Sequence, residues 1–266
     1  MRFLLAACIW LVSAALALPF YLKTWWPPAP ISEHARTVDG QFFLTLIVTG
    51  ITFILAQGAL GWAVFQFGRQ RPEAASYNHG NNTMEVVWTT ITGVLFIGAT
   101  LAGQHVWAAV HTQGPPPGAM QVEVTGQQFA WHIRYSGPDG KFGALDIKQI
   151  NDQSGNPLGI DSKDPAGKDD IVSATMPVPV GRPVDLILRT KDVTHAFFVP
   201  ELRLKQDTVP GMITRLHFTA EKTGVYEIPC TELCGLGHYK MRSFLEVMEP
   251  AAFENWIQEK LKEKSQ

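Results

Sequence analysis

Three long apolar runs near the amino terminus constrain the fold more than any other feature of the chain. They cover about residues 3–22, 42–67 and 86–110, and each is long enough to cross a lipid bilayer as a helix. The composition agrees, because 46% of the 266 residues are hydrophobic and only 17% are charged. We therefore predict that residues 1–114 form two or three transmembrane helices of a multi-pass membrane protein.

The first apolar run allows two interpretations. It follows Arg2, and the stretch from Ala15 to Ala17 imitates the cleavage site of a signal peptide. No polar region separates Ala17 from Leu18, so we favour a retained helix over a cleaved signal. Cys8 lies inside this run, and we interpret it as a small lipid-facing residue rather than a metal ligand.

Charged residues beside the runs predict the orientation in the membrane. Arg69 and Arg71 open the loop after the second run, and basic residues favour the cytoplasmic side. Lys23 and Arg36 lie on the other side and make this bias modest. The third run would return the chain to the outer face of the membrane.

The sequence changes character after a stiff linker, Pro115 to Gly118. Short alternating segments follow and are typical of strands: Val122 and Val124; Trp131, Ile133 and Tyr135; then Val184–Leu188, His217–Thr219, Val225–Ile228 and Phe244–Met248. We predict that residues 115–249 form an antiparallel β-sandwich or barrel. The net charge of −2 argues against a nucleic-acid partner.

The segment 250–266 predicts an amphipathic helix. Its apolar residues fall on one helical face, and they are Phe253, Trp256, Ile257 and Leu261. We expect this face to pack on the β domain or on a partner subunit.

Residues 230 to 241 concentrate side chains that bind soft metals. The loop carries Cys230, Cys234, His238 and Met241, and His195 lies 35 residues before Cys230 at the end of a strand-like run. Two glycines, Gly235 and Gly237, let the loop double back so that its ligands face one point. Sulfur and imidazole ligands favour copper or zinc over calcium or magnesium.

The number of ligands indicates how many metal ions the loop can hold. A mononuclear blue-copper site uses two His, one Cys and a weak Met ligand, and this loop has one cysteine more. Two bridging thiolates can hold two coppers, each completed by one His and one weak ligand. The weak ligands would be Met241 and the backbone carbonyl of Glu232. Such a pair relays single electrons and has no open position for catalysis.

Two simpler interpretations stay open at this point. Two cysteines in an extracytoplasmic domain can form a disulfide, and a Cys2His2 set can bind structural zinc. Neither interpretation explains Met241 or the glutamate between the cysteines.

The loop resembles a known family motif. It matches C-x-E-x-C-x-x-x-H-x-x-M, the binuclear CuA motif of cytochrome c oxidase subunit II, and the run from Asp192 to His195 matches D-V-x-H. Pro200, Lys205, Asp207, Pro210 and Gly211 match the connector between them. The resemblance covers roughly residues 41–250.

The resemblance implies a cupredoxin fold and a role in respiration. The chain would be the electron-input subunit of a haem–copper cytochrome c oxidase in the bacterial cytoplasmic membrane, with its copper domain on the periplasmic face. Binuclear CuA would pass electrons from a cytochrome c-type donor to haem in subunit I, where oxygen is reduced and protons are pumped. Subunit III is a further expected partner, and this chain would carry no catalytic residue of its own.

The resemblance also implies roles for four residues outside the set of copper-binding side chains. The Glu232 carboxylate would bind magnesium at the interface with subunit I. In the family, the glutamate of E-x-x-W-T lies near a proton channel, so Glu85 is a candidate for proton entry or is simply a carboxylate at a helix start. Phe129 and Trp131 lie at the two tryptophan positions of the electron-entry segment G-x-Q-W-x-W, or they are core residues.

The sequence departs from the family pattern at three places. Phe129 replaces the first tryptophan of the entry segment, and Thr92 stands where the family usually has a helix-kinking proline. Residues 151–170 form an Asp-rich insertion, which we interpret as a solvated surface loop, with donor docking or calcium binding as alternatives. The outer part from Pro115 to Glu249 holds 17 acidic and 14 basic residues, so we predict a membrane-tethered or assembly-held haem c donor.

Two other functions fit the same residues. A nitric oxide reductase with a copper-bearing second subunit would need the same electron path. A stand-alone membrane-anchored copper-binding protein is also possible, although a closed set of six ligands does not favour metal release. No C-x-x-C-H motif follows the copper loop, so we expect haem only in a partner subunit.

Overall fold

The computed structural model describes residues 1–68 and 79–264. The described helices are α1 (Arg2–Tyr21), α2 (Glu33–Phe67), α3 (Asn82–His111) and α4 (Pro250–Lys264). The described strands are β1 (Met120–Gln127), β2 (Ala130–Tyr135), β3 (Ile171–Ser173), β4 (Met176–Pro179), β5 (Pro183–Thr190), β6 (His195–Val199), β7 (Leu204–Thr208), β8 (Thr214–Thr219), β9 (Gly224–Pro229) and β10 (Arg242–Met248). The architecture is therefore three long apolar helices followed by a β-rich domain and a final helix.

Helices α1 to α3 are long and apolar enough to cross a membrane. The helix α2 begins at Glu33 rather than near residue 42, because the Ser32 hydroxyl caps it by accepting a hydrogen bond from the Ala35 N–H at 3.1 Å. Asn81 caps α3 in the same way through the Met84 N–H. Our prediction followed apolar residues alone and so missed these polar first turns. Arg69 and Arg71 lie outside the described residues.

The chain divides into two compact units. One contains Met1–Pro27 and Val38–Trp107, and the other contains Pro28–Thr37 and the residues from Ala108 onward. The short segment 28–37 belongs to the second unit because its backbone bonds to that unit. The Ile31 N–H donates to the Glu201 carbonyl at 3.1 Å, and the Glu221 N–H donates to the Ile31 carbonyl at 2.8 Å.

The second unit is a β-sandwich with mostly antiparallel strands. One sheet has the strand order β3-β2-β1-β5-β8, a second has the order β4-β10-β9, and β6 and β7 form a hairpin. The predicted sandwich is confirmed, but two neighbouring pairs, β1–β5 and β4–β10, are parallel. Inward side chains such as Val122, Ile133 and Leu186 are completely buried between the layers.

The Asp-rich insertion is more tightly built than a solvated loop. The Asp170 side chain is fully buried and forms an ion pair with the buried Arg134 of β2. The Asp161 and Asp164 carboxylates accept hydrogen bonds from the Lys163 and Ala166 N–H groups. The interpretation of residues 151–170 as a solvated surface loop was therefore wrong for Asp170, whose carboxylate joins the insertion to the sheet.

The final helix packs on its own domain. Phe253 is buried, and the Trp256 ring lies against Tyr135 with 5.2 Å between ring centroids. The Lys264 ammonium donates to the Asp170 carbonyl at 2.7 Å. The apolar face predicted for α4 therefore covers the sandwich.

Candidate metal centre

The metal-binding residues lie where two segments of the sandwich meet. His195 begins β6, and residues 230–241 form the loop between β9 and β10. We expected His195 to end a strand, but the structure places a turn before it and the strand after it. Backbone bonds close the loop: the Cys230 N–H donates to the Met241 carbonyl at 3.0 Å, and the Thr231 N–H donates to the Ala196 carbonyl at 3.2 Å.

The sequence-predicted donor atoms come together in a connected cluster. Five distances define it: His195 Nδ1 to Cys230 Sγ, 3.8 Å; Cys230 Sγ to Cys234 Sγ, 3.9 Å; Cys234 Sγ to His238 Nδ1, 3.6 Å; Cys234 Sγ to Met241 Sδ, 3.8 Å; and Cys230 Sγ to the Glu232 carbonyl oxygen, 3.3 Å. The two cysteine sulfurs lie in the middle of the cluster. His195 and the Glu232 carbonyl lie near the Cys230 sulfur, and His238 and Met241 lie near the Cys234 sulfur.

These distances fit a metal centre. Metal–sulfur and metal–nitrogen bonds of about 2.0–2.3 Å in tetrahedral geometry separate two ligand atoms by about 3.3–3.8 Å. The Cys230 and Cys234 sulfurs are free thiols, and their 3.9 Å separation is far beyond a disulfide bond length of about 2.05 Å. The donor set of two thiols, two imidazoles and a thioether suits copper.

The electrostatics of the cluster favour a bound cation. Cys230, Cys234 and Met241 are 6%, 4% and 2% exposed, and His195 is fully buried. Burial and the neighbouring Cys230 raise the pKa of the Cys234 thiol to about 11. Two adjacent buried thiolates are therefore costly without a positive charge, and a metal ion that binds them would displace their protons.

His195 is oriented by its surroundings. Its Nε2 lies 2.9 Å from the Asp192 carboxylate, so its Nδ1 faces the cysteines. A Cβ at Gly126 would lie 2.7 Å from the imidazole Cδ2 atom, so only glycine leaves room for the ring. The Asp192 carboxylate also accepts from the Gln128 N–H, and its hydrogen bonds outweigh burial and lower its pKa. A carboxylate behind a metal-binding imidazole fixes its tautomer and orientation.

The turn between β1 and β2 covers the metal loop. A Cβ at Gly237 would lie 2.4 Å from a ring carbon of Phe129, so the aromatic ring rests directly on this glycine. The Gln128 side-chain amide donates to the Cys234 carbonyl at 2.5 Å. We assigned the glycines of the loop to chain reversal, and the structure adds that they make room for this turn.

Four other predicted residues have different surroundings. Trp131 is 2% exposed and stacks edgewise on His195 and Phe197 at 5.8 and 6.1 Å, whereas Phe129 is 38% exposed. Glu232 is half-buried, and its carboxylate has no hydrogen-bond partner among residues 1–68 and 79–264. Glu85 is exposed in the first turn of α3, in the helical unit.

Sequence reasoning gave no role to Gln128. The residue lies at the glutamine position of the segment that resembles G-x-Q-W-x-W, so the motif could have indicated a role for it. Its partner Cys234 is 106 positions away, and only the fold brings the two together.

Comparisons with known proteins give consistent matches. A family model described as cytochrome c oxidase subunit II, periplasmic domain, matches residues 120–248. The alternative cytochrome c oxidase subunit 2 of Bradyrhizobium diazoefficiens is 34% identical over 255 residues, covering 95% of this chain and 91% of that protein. Cytochrome c oxidase subunit 2 of a Synechocystis strain is 32% identical, covering 86% and 74% respectively. The crystal structure of the periplasmic domain of cytochrome oxidase subunit II from Bradyrhizobium japonicum is 29% identical, covers 55% of this chain and 97% of that chain, and has a TM-score of 0.41.

Proposed function

Because the chain belongs to the cytochrome c oxidase subunit II family, we propose that it holds a binuclear copper centre and is the electron-input subunit of a respiratory haem–copper oxidase. The bound copper pair would supply one-electron chemistry, taking electrons from a cytochrome c-type donor for haem in subunit I. The oxygen-reducing and proton-pumping reactions would belong to the complex. The expected location is the bacterial cytoplasmic membrane, with the β domain on the periplasmic face.

One observation carries this proposal: two free thiols lie next to each other, with an imidazole close to each. Cys230 is near His195 and Cys234 is near His238, at 3.8 and 3.6 Å. A single structural zinc would leave the Met241 thioether and the Glu232 carbonyl without a role. Six donors, grouped around two adjacent sulfurs, suit two copper ions better than one metal ion.

The chain's own residues would bind and shield the pair. The buried donors exclude water, and Asp192 holds the His195 ring with Nδ1 toward the cysteines. Donor atoms that are already held close together would need little rearrangement around a bound metal, and little rearrangement favours fast one-electron transfer. The six donors would leave no open coordination position for a substrate. The centre would therefore act as an electron relay and not as a catalytic site.

Electron entry would involve the aromatic residues beside the centre. The partly exposed Phe129 covers Gly237 of the metal loop, and the buried Trp131 contacts the His195 ring. We propose that Phe129 is the outer contact for the donor and that Trp131 supports the histidine. Phe129 lacks an indole N–H, so it would offer a docked donor only apolar contact.

Glu232 would also bind magnesium, in addition to its role at the copper pair. Its backbone carbonyl faces Cys230, and its carboxylate is free to bind magnesium at an interface with subunit I, because magnesium prefers oxygen ligands. In the purified complex, Glu232→Gln is expected to lower magnesium content while copper content stays at the parental level. Loss of copper with normal magnesium would reverse these two roles.

Glu85 remains a proposed proton-entry residue. It is an exposed carboxylate in the first turn of α3, where the helix dipole also favours a negative charge. This role requires subunit I as a partner, and subunit III is the further partner that we propose for the complex.

The decisive experiment is metal analysis of the full-length chain purified in detergent and loaded with copper. We expect two coppers per chain and an electron paramagnetic resonance signal from one unpaired electron shared by both. One copper per chain, or a colourless zinc protein, would contradict the proposal. Oxygen and nitric oxide consumption by the purified complex then separates an oxidase from a nitric oxide reductase, and purification without any haem subunit would favour a stand-alone copper protein.

A further inference from the structure

Gln128 touches both segments that carry the metal donors. Its side-chain amide donates to the Cys234 carbonyl at 2.5 Å, and its backbone N–H donates to the Asp192 carboxylate at 2.8 Å. Cys234 supplies a donor sulfur, and Asp192 holds the His195 ring. One residue of the β1–β2 turn therefore connects the metal loop to the histidine-bearing segment.

The hydrogen bond from Gln128 to Cys234 lies where the loop adopts an unusual backbone conformation. Gly235, which follows the cysteine directly, has a φ of +133°, a conformation that L residues rarely adopt. A Cβ at this glycine would lie 2.8 Å from the Gln128 amide nitrogen. The chain reverses here, and the hydrogen bond from Gln128 holds the peptide group between Cys234 and Gly235 in place.

Gln127, the residue before Gln128, makes different contacts. The Gln127 side-chain oxygen accepts from the Lys191 ammonium at 2.7 Å and lies 2.9 Å from the His132 Nε2. Gln127 therefore fastens the turn to the sheet without touching the metal loop. The two adjacent glutamines have separate tasks, which makes Gln127 a matched control for Gln128.

We propose that Gln128 is a positioning residue that holds the Cys234 thiol in its metal-binding orientation. Its side chain fixes the metal loop, while its backbone joins that loop to the carboxylate behind His195. The copper part of this inference rests on the proposed function, but the positioning of the thiol does not. The inference can therefore be tested on the copper-free chain as well.

The first test measures thiol alkylation in the copper-free, reduced, full-length chain in detergent. A Cys8→Ser background leaves only Cys230 and Cys234 to react, and mass spectrometry separates them. A buried thiol reacts through local opening of the loop, so Gln128→Met should speed Cys234 alkylation about 2- to 10-fold, the equilibrium factor of one hydrogen bond. Gln128→Glu loses the same N–H donor and should act in the same direction, and Gln127→Met should leave the rate unchanged.

Gln128→Asn guards against a folding defect in the larger changes. It keeps the amide and the backbone bond to Asp192, but its side chain is one methylene too short to keep the 2.5 Å contact, so faster alkylation is again expected. Equal rates in all Gln128 variants and the parent, or an equal increase in Gln127→Met, would overturn the inference.

The second test uses the copper-loaded chain. The Gln128 variants should lose copper to a chelator faster than the parent, and their electron paramagnetic resonance hyperfine pattern should change, whereas Gln127→Met keeps the parental spectrum. Parental spectra in every Gln128 variant would contradict a positioning role toward the metal. If the thiol result holds while the parent binds no copper pair, the proposed function fails and the positioning of Cys234 stands.

Discussion

At the scale of single residues, the metal centre depends on two buried thiols that share one environment. The Cys230 and Cys234 sulfurs are 3.9 Å apart, and burial with the neighbouring Cys230 raises the Cys234 pKa to about 11. Burial therefore makes a thiolate at Cys234 costly until a bound cation replaces its proton. Each sulfur also has its own imidazole, so neither cysteine can substitute for the other.

Variants of the sulfur ligands should therefore have unequal effects. Cys230→Ser or Cys234→Ser is expected to abolish the proposed copper pair, because both thiols are needed to hold the two metal ions. Met241→Leu should retain two coppers with an altered spectrum, since the 2% exposed side chain is replaced by one of similar volume and only a weak ligand is lost. Copper content and electron paramagnetic resonance spectra of the full chain test both outcomes.

Cys8→Ser is the control, because Cys8 lies exposed on α1, in the helical unit. It should bind copper like the parent. Complete loss of copper in Met241→Leu would contradict a weak-ligand role for the thioether.

Much of this centre could be predicted from the sequence because its donors are close together in the chain. Cys230, Cys234, His238 and Met241 lie within one loop, and the residue types favour a soft metal ion, copper or zinc. The supporting contacts could not be predicted, because Gln128 and Cys234 meet only after β1, β2 and β9 have folded. The buried state of Trp131 also depends on its packing against His195, which its sequence position does not reveal.

At the scale of elements, several strands could be predicted from their apolar pattern, whereas the buried strands β4 and β6 could not. Segments in β5, β9 and β10 showed enough pattern to be identified. The strand β6 is buried along most of its length, so polar and apolar residues do not alternate. The strand β4 contains Pro177 and Pro179 and is buried throughout, and prolines in a short apolar run argue against a strand.

The Asp-rich insertion is linked to the sheet by a buried ion pair, which makes its stability depend on pH. The Arg134 guanidinium bonds to the Asp170 carboxylate, and its Nη1 lies 3.4 Å from the Glu123 carboxylate. Burial raises the pKa of Asp170 above its ordinary value despite the bonds from Arg134. A carboxyl with a raised pKa in the folded state stabilises the fold at low pH, and this contribution is lost as the pH rises through the folded-state pKa.

Removing the arginine should therefore destabilise the β domain more at neutral than at acidic pH. Arg134→Met leaves Asp170 buried without its cation, and we expect a loss of about 3 kcal/mol near neutral pH. The loss should shrink as the pH falls toward 4, because a protonated Asp170 needs no cation. Hydrogen exchange of the insertion amides in the full chain, followed across pH, measures the effect.

Asp170→Asn is the matched variant. It removes the titrating group and keeps a hydrogen-bonding side chain, so its stability should vary less with pH over the acidic range than that of Arg134→Met. An identical pH dependence in both variants would show that Asp170 is not the group responsible.

At the scale of the whole molecule, the charge and exposure of the surface bear on how an electron donor can dock. The segment from Pro115 to Glu249 is only mildly acidic, with 17 acidic and 14 basic residues. Several carboxylates of the insertion already accept hydrogen bonds within the domain. The Asp164 carboxylate, for example, accepts from two backbone N–H groups. The metal loop instead presents apolar side chains, because Leu236 is 97% exposed and Tyr239 is 78% exposed.

This surface should make turnover with a soluble basic cytochrome c slow and nearly independent of salt. Strong electrostatic steering needs a concentrated field of one sign, and salt screens such a field over about 10 Å at 0.1 M ionic strength. A tethered donor needs no steering, because the tether supplies a high effective concentration. Oxygen consumption by the purified complex should therefore change little between about 20 and 200 mM salt, while native membranes that retain their own haem c donor should turn over faster.

Phe129→Ala tests where electrons enter the protein, independently of whether the donor is soluble or tethered. The ring is the exposed aromatic group that covers Gly237, so its removal should slow turnover with either donor while copper content stays unchanged. Fast turnover with soluble cytochrome c that collapses as salt rises, and that also falls in Phe129→Ala, would keep Phe129 as the entrance and exclude the tethered donor. Salt-independent turnover that is unaffected by Phe129→Ala would instead move the entrance to another part of the metal loop, where Leu236 and Tyr239 are exposed.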